Sequence, residues 1–233
     1  MTAKTDLVLL PGLMCDGALW DFVVPGLADV ATPHHGNLFA DDTVAGMAAR
    51  VLAEAPGRFA LAGFSMGGYI AREIAHAAPE RVSHLALMNT SAAGSTPATR
   101  RRNGRVLAAL ATRPFTGLAP TSIRQALHPD RAGDAALTRH IQAMARRLGG
   151  EVFARQMRLD RADGHHRLAE IRCPTLVVAS DADRLRSVAD AERLAAGIPG
   201  ARLEIVADCG HMTPLERPEA LAGLLRDWLK ETA

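Results

Sequence analysis

The segment around Ser65 combines a candidate nucleophile with the residues that would expose it. Ser65 lies between Gly63 and Gly67, in the order Gly-Phe-Ser-Met-Gly, with an apolar run before it and a helical pattern after it. A serine in this setting is typical of a nucleophile elbow, a tight turn between a strand and a helix. Side chains at positions 63 and 67 would collide in such a turn, and glycine avoids the collision. We therefore predict an exposed hydroxyl at the beginning of a helix, where backbone N–H groups favour negative charge.

The base and the acid that would activate this serine are predicted from their positions after strands. A serine hydroxyl is a weak nucleophile until a base takes its proton, and the base needs a group that orients it. In open α/β sheets such groups follow the carboxyl ends of strands. Of the nine histidines, His211 directly follows the last predicted strand. The loop after the preceding strand offers Asp181 and Asp183, of which Asp183 lies deeper, while Asp208 is a weaker alternative.

Regular alternation of short apolar runs and helical patterns predicts a parallel sheet with helices on both faces. Strands are predicted at 7–10, 30–32, 59–63, 82–89, 175–180 and 202–206, and helices at 18–27, 44–55, 66–77, 188–196 and 218–230. Between these, short helices are predicted at 99–111, 122–127, 135–148 and 151–158. An all-helical insertion most simply forms a lid over the carboxyl ends of the strands. We therefore expect a core of residues 1–94 and 171–233 and a lid of residues 95–170.

Composition limits the classes of function. A chain of 233 residues with 48% apolar content can bury one sizeable core, and its net charge of +2 implies no general attraction to nucleic acid or membrane surfaces. Three scattered cysteines suit neither a disulfide scaffold nor a zinc site and fit a reducing cytoplasm. The apolar stretch at 7–14 is broken by Pro11-Gly12, so it is interpreted as a strand and a turn rather than a signal peptide. We expect a soluble, cytoplasmic protein with no membrane span.

The predicted lid is rich in arginine. Residues 95–170 contain 14 arginines, no lysine and six acidic residues, for a net charge of +8. Solvated helix faces are the simplest interpretation. The alternative is that the lid steers an anionic substrate or an acidic acyl carrier toward the serine.

Other side chains have both a structural and a functional interpretation. His34-His35 and His165-His166, the latter with Asp163, suggest metal ligands, but adjacent side chains point apart and solvated loops are favoured. No metal or organic cofactor is therefore expected. Four apolar side chains are candidates for an acyl pocket, although helix packing is favoured for each: Phe115, Met144, Met157 and Leu185.

Taken together, these segments resemble the α/β-hydrolase family, and the resemblance extends over nearly the whole chain. It rests on Leu-Leu-Pro-Gly-Leu at 9–13, the elbow with Gly68, Cys-Pro-Thr-Leu-Val-Val at 173–178, Asp183, and Gly-His-Met at 210–212. The chain is similar to small bacterial carboxylesterases, enol-lactonases and pimeloyl-carrier-protein methyl esterases. The resemblance implies that Asp183, rather than Asp181, is the acid. It also implies an oxyanion hole formed by the backbone amides of Leu13 and Met66.

The family likeness also implies an activity. It implies a serine hydrolase that cleaves a small-molecule carboxylic ester or lactone through an acyl-enzyme on Ser65, without nucleic acid or membrane partners. Alternatives on this fold are C–C hydrolysis, acyl transfer, perhydrolysis, or a small-molecule receptor that retains the triad. Two departures are visible: Ser180 stands where the family has a glycine before the acid, and the two N-terminal strands of the full fold lack counterparts. About six strands are therefore expected.

Overall fold

A six-stranded parallel sheet forms the centre of the structure, a computed structural model that describes residues 4–231. The strand order is β2-β1-β3-β4-β5-β6, and every neighbouring pair is parallel. The strands are β1 (Thr5–Leu10), β2 (Ala31–His35), β3 (Phe59–Phe64), β4 (Val82–Met88), β5 (Thr175–Ser180) and β6 (Arg202–Val206). The predicted number of strands and their parallel pairing are confirmed. His34 and His35 belong to edge strand β2 and not to a loop.

Eight α-helices accompany the sheet in the described residues. They are α1 (Val44–Glu54), α2 (Met66–Ala77), α3 (Pro97–Leu110), α4 (Pro120–Ala126), α5 (Ala135–Arg158), α6 (Val188–Gly197), α7 (Thr213–Glu216) and α8 (Pro218–Trp228). The helix predicted at 18–27 is instead two 3₁₀ turns, Gly17–Trp20 and Val24–Leu27. Proline and glycine within the second turn, at 25 and 26, disfavour a continuous α-helix there.

The two helices predicted between 135 and 158 form one element with a break. Gly149 has φ 76° and ψ 179°, so the two halves of α5 meet there at a kink. Glycine accepts a positive φ without the strain that a Cβ would cause. The short helix α7, directly after His211, was not predicted.

Alternate residues of each strand point to opposite faces of the sheet, and both faces are covered. On one face Leu7 and Leu9 belong to a core that includes the fully buried Trp20 and Trp228, from the first 3₁₀ turn and from α8. On the other face Val8 and Leu10 pack with residues of α1, α2 and α6. Helices on both faces of the sheet are therefore confirmed. This arrangement brings the carboxyl ends of the strands to one edge.

Helices α3, α4 and α5 occupy the chain between β4 and β5. Helix α3 has no buried residue, whereas α5 buries Met144, Gln156 and Met157. The exact extents of core and lid stay a prediction. Among the described residues no helix is both long and apolar enough to cross a membrane.

Candidate active site

Ser65 occupies the turn between β3 and α2 with an unusual backbone. Its φ of 52° and ψ of −108° are rarely adopted by a residue with a side chain, at a cost of about 1–3 kcal/mol. Three hydrogen bonds hold this conformation. Its N–H donates to the Met88 carbonyl at 2.8 Å, and its own carbonyl accepts from the Thr90 hydroxyl at 2.8 Å and from the Gly68 N–H at 3.2 Å. The sheet and helix thereby fix a strained turn that presents the hydroxyl.

Both flanking positions must be glycine because neighbouring backbone atoms lie too close to leave room for a Cβ. A Cβ on Gly63 would lie 2.6 Å from the carbonyl oxygen of Gly67. One on Gly67 would lie 2.5 Å from the carbonyl oxygen of Leu10. Real Cβ atoms do not approach backbone oxygen so closely. The collision predicted from the sequence is therefore present on both sides of Ser65.

Three side chains that are distant in sequence form one hydrogen-bonded chain. His211 Nε2 lies 2.9 Å from Ser65 Oγ, and His211 Nδ1 lies 2.7 Å from Asp183 Oδ2. The side chains of His211 and Asp183 are only 6% and 1% exposed. A carboxylate at Nδ1 favours the tautomer whose free Nε2 lone pair faces the serine hydroxyl. The arrangement can therefore transfer a proton from the serine to the imidazole.

Asp183 is held as a carboxylate by several donors. Its Oδ1 accepts the N–H groups of Leu185 at 2.7 Å and Arg186 at 2.9 Å, and its Oδ2 accepts from Asn89 Nδ2 at 3.1 Å. Burial raises the pKa of this carboxyl, but His211 and these donors outweigh burial and hold the pKa below its ordinary value. Asp183 is therefore ionised at neutral pH.

The other two aspartates have different surroundings. Asp181 turns its carboxylate away from the imidazole and accepts the N–H groups of Asp208 at 3.0 Å and Cys209 at 3.1 Å. It thereby joins the loop after β5 to the loop after β6. The Asp208 side chain is 79% exposed and lies 3.8 Å from Arg217. Of these three aspartates, only Asp183 contacts the imidazole of His211.

A buried polar cluster behind Asp183 was not predicted from the sequence. Asn89 Nδ2 donates to Ser180 Oγ at 2.9 Å, the Thr213 hydroxyl donates to Asn89 Oδ1 at 2.7 Å, and the Ser180 and Thr213 hydroxyls lie 2.7 Å apart. The cluster anchors the Asn89 amide that contacts Asp183. Ser180, the departure from the family glycine, is thus a member of this cluster. The sequence did contain a signal for this cluster, because a polar residue, Asn89 or Ser180, stands at the end of each of two neighbouring buried strands.

The loop that carries His211 is hydrogen-bonded to the helical insertion between β4 and β5. The His211 N–H donates to the carbonyl of Ala126, the last residue of α4, at 2.8 Å. Buried Glu216 accepts the N–H of Met212 at 3.2 Å and that of His128 at 2.7 Å. Burial raises the pKa of this carboxyl above its ordinary value. Helix α4 and the histidine loop therefore form one hydrogen-bonded unit.

Leu13 follows β1 and Met66 begins α2, and their amides are the ones assigned to an oxyanion hole. Leu13 and Met66 both line the cavity that contains Ser65. Within residues 4–231 neither N–H donates to another group of the chain. Gln156 of α5 fixes the turn that carries Leu13, because its Oε1 accepts the Met14 N–H at 2.9 Å while its Nε2 donates to the Leu38 carbonyl at 3.2 Å. Gln156 is 1% exposed and was not singled out from the sequence.

The cavity at the serine measures about 380 Å³, within the range of small-molecule sites. Met157 and Leu185, two of the four candidates for an acyl pocket, contribute to its wall, together with Ile123, Ile141 and Phe153. The other two pack elsewhere. Met144 is fully buried in the core, and Phe115 stacks against Phe153 with ring centroids 5.0 Å apart.

Neither cysteine chemistry nor the histidine pairs add a second site. Cys15 lines the cavity, but burial raises the pKa of its thiol to about 12, so it is not a thiolate at neutral pH. His34 Nε2 lies 2.8 Å from Asp6, and His165 Nδ1 lies 3.1 Å from Asp163. From residue 4 to residue 231, no three His, Cys, Asp or Glu side chains cluster as metal ligands would.

Comparisons with known proteins identify the family of the chain. A model of the "Alpha/beta hydrolase family" matches residues 7–224. Pimeloyl-[acyl-carrier protein] methyl ester esterase of Aromatoleum aromaticum is 29% identical over 96% of this chain and 98% of that protein. Poly(3-hydroxyalkanoate) depolymerase of Ectopseudomonas oleovorans is 31% identical over 90% of this chain and 74% of that protein. An esterase structure from Thermogutta terrifontis shares the fold, with a TM-score of 0.82 at 24% identity over 98% of this chain and 90% of that one. The chain therefore belongs to the alpha/beta hydrolase family.

Proposed function

We propose that this protein is a serine hydrolase that cleaves a carboxylic ester or lactone through an acyl-enzyme on Ser65. The observation that carries the proposal is the unbroken hydrogen-bonded chain from Ser65 Oγ through His211 to Asp183. Such a chain activates a hydroxyl for attack on a carbonyl and requires neither a metal nor an organic cofactor.

In the first half of the proposed reaction, Ser65 Oγ attacks the substrate carbonyl carbon while its proton passes to His211 Nε2. The negative oxygen of the tetrahedral intermediate accepts hydrogen bonds from the amides of Leu13 and Met66. Each such donor typically contributes a factor of about 10²–10³ in rate. When the C–O bond to the alcohol breaks, the imidazolium donates its proton to the leaving oxygen. Asp183 stabilises the imidazolium, and the acyl group stays on the serine.

In the second half, water takes the place of the alcohol. His211 removes a proton from the water as it attacks the acyl carbon, and the Ser65–acyl bond breaks with return of the proton to Ser65 Oγ. The acid is released and the resting state is restored. The same residues thus act in both halves, in reversed order.

Preference for an ester over an amide rests on relatives rather than on geometry. The two related proteins above are named as a methyl ester esterase and a poly(3-hydroxyalkanoate) depolymerase, and both names describe hydrolysis of carboxylic esters. A receptor that retains the triad is the rival interpretation, because the cavity would hold a small molecule in either case.

The test is a turnover assay with matched substrates. Purified protein is given p-nitrophenyl butyrate, a γ-lactone of similar size and the p-nitroanilide of butyric acid, and product is counted per protein molecule. We expect continuous turnover of the ester or the lactone, and slower turnover of the anilide. Release of at most a few products per molecule, with the acid retained, would favour a receptor. Absence of any acid release would contradict the proposal.

A further inference from the structure

Three arginines line the same cavity as Ser65. Arg102 lies on α3, Arg161 follows α5, and Arg186 lies in the loop after β5 that also carries Asp183. No aspartate or glutamate contributes to this cavity wall within residues 4–231. The described lining therefore holds three arginine charges and no carboxylate.

Within the described residues none of these three arginines is paired with a carboxylate, whereas some other arginines of the helical insertion are. Arg100 lies 3.0 Å from Asp160, and Arg147 lies 2.8 Å from Asp16. By contrast, none of the three cavity arginines has a carboxylate within 4.0 Å in the described part of the chain. Arg161 and Arg186 are half-buried, so their unpaired charges carry a desolvation cost that a bound anion would offset, whereas Arg102 is exposed.

Two of the three guanidinium groups are also incompletely hydrogen-bonded. The Nε atoms of Arg161 and Arg186 are shielded from solvent and have no hydrogen-bond partner among residues 4–231. Burial lowers the pKa of the Arg161 guanidinium, and the positive charges of Arg186 and Arg102 lower it further. Arg161 is therefore close enough to Arg186 and to Arg102 to be repelled by their charges.

The positions of Arg161 and Arg186 are fixed by the protein. The Arg161 N–H donates to Ser95 Oγ at 3.0 Å, its carbonyl accepts the Ser95 N–H at 2.8 Å, and its guanidinium lies 4.6 Å from the centre of the Tyr69 ring. The backbone N–H of Arg186 donates to Asp183 at 2.9 Å, and its guanidinium Nη1 donates to the Leu185 carbonyl at 2.9 Å. A site whose donors are already in place loses less entropy when it binds an anion.

We propose that Arg102, Arg161 and Arg186 form a subsite for a carboxylate that belongs to the same molecule as the scissile carbonyl. The substrate class is then the monoester of a dicarboxylic acid. Guanidinium groups match carboxylates because they donate two parallel hydrogen bonds. The apolar wall formed by Ile141, Phe153 and Met157 suits the methylene chain between the two groups. This inference rests on the proposed esterase function.

The test compares two methyl esters of equal chain length. Monomethyl adipate carries a carboxylate where methyl hexanoate ends in a methyl group, and release of methanol gives kcat/KM for each. We expect wild type to favour the adipate ester, and the ratio of the two kcat/KM values to fall about tenfold or more in Arg161→Gln and in Arg186→Gln. Arg101→Gln is the matched control, since Arg101 is exposed on the same helix as Arg102 and lies outside the cavity lining. Its ratio should stay within about twofold of wild type.

Stability and binding measurements complete the test. Arg161 stacks on Tyr69, so its replacement can lower the melting temperature, whereas Arg186 has no such stacking and serves as the second variant. Calorimetric titration with adipate and with hexanoate measures the subsite without turnover. A wild type that favours the hexanoate ester, or a ratio that Arg186→Gln and Arg101→Gln change equally, would overturn the subsite. If wild type hydrolyses neither methyl ester, the assay with p-nitrophenyl butyrate and the γ-lactone decides the esterase proposal separately, and binding decides the subsite. Weaker adipate binding in Arg161→Gln and Arg186→Gln supports the subsite, and binding equal to that of wild type overturns it.

Discussion

Replacing Ser65 with alanine should lower kcat/KM for an ester by about 10⁴- to 10⁶-fold. Its hydroxyl is the only oxygen hydrogen-bonded to His211 Nε2 among the described residues, so alanine leaves no group that can form the acyl-enzyme. The measurement is initial rates with p-nitrophenyl butyrate at several enzyme concentrations. Circular dichroism should show the same fold for wild type and Ser65→Ala, because the substitution removes no backbone hydrogen bond.

Ser83→Ala is the matched control for this substitution. Ser83 Oγ also lies within hydrogen-bond distance of a histidine, 3.2 Å from His84 Nδ1, but on β4 and outside the cavity. Loss of the Ser83 hydroxyl should leave kcat/KM within about threefold of wild type. Equal activity of wild type and the Ser65 variant would refute the nucleophile assignment.

Asp183→Asn should lower kcat by about 10³- to 10⁴-fold while the protein stays folded. The two amides at Oδ1 require an acceptor there, so the carboxamide oxygen occupies that position. Its NH₂ group then takes the place of Oδ2 and donates to His211 Nδ1. The proton of a neutral imidazole is thereby forced onto Nε2, which can no longer accept the proton of Ser65. Steady-state kinetics with a neutral ester measures the loss.

Asp181→Asn separates the two aspartates of this loop. Asp181 contacts only backbone amides of the neighbouring loop, so the substitution should cost at most about tenfold in kcat. A larger loss for Asp181 than for Asp183 would reverse the assignment of the acid.

Because the pKa of Asp183 is low in the folded state, the stabilisation that this carboxylate provides should decrease as the pH falls. A carboxyl whose pKa is depressed in the folded state contributes stability above its unfolded pKa and loses it as the pH falls through the folded pKa. The difference in free energy of unfolding between wild type and Asp183→Asn should therefore narrow as the pH is lowered from 7 to about 3.

The sheet was predictable because its strands are short apolar runs bounded by proline and glycine. The run at 175–180 is buried at every residue and follows Pro174, so both its type and its limits could be assigned from the sequence. Edge strand β2 was weaker in sequence, since only its first residue is buried. The 3₁₀ turns at 17–27 were not predicted. Pro25 and Gly26 gave a local signal against a continuous α-helix, but Leu19, Trp20 and Leu27 of these turns are buried in the core, and that packing is not visible in the local pattern.

The candidate site was predictable where chemistry demands a residue type at a strand end. Ser65, Asp183 and His211 each follow a different strand, and parallel topology brings strand ends to one edge. Supporting residues carried no such signal. Gln156 reaches the Leu13 turn from the insertion, across 142 positions of sequence, and only the docking of α5 places it there. Arg186 likewise becomes a cavity residue only because the loop after β5 folds back around Asp183.

Covalent labelling of the serine tests the central claim most directly. Diethyl p-nitrophenyl phosphate transfers its phosphoryl group to an activated serine and releases p-nitrophenolate, and the product is stable enough for peptide mass spectrometry. We expect one label on the peptide that contains Ser65, loss of esterase activity in proportion to labelling, and no label in Ser65→Ala. Inactivation with Ser65 unlabelled, or with the label on Cys15, would contradict this claim.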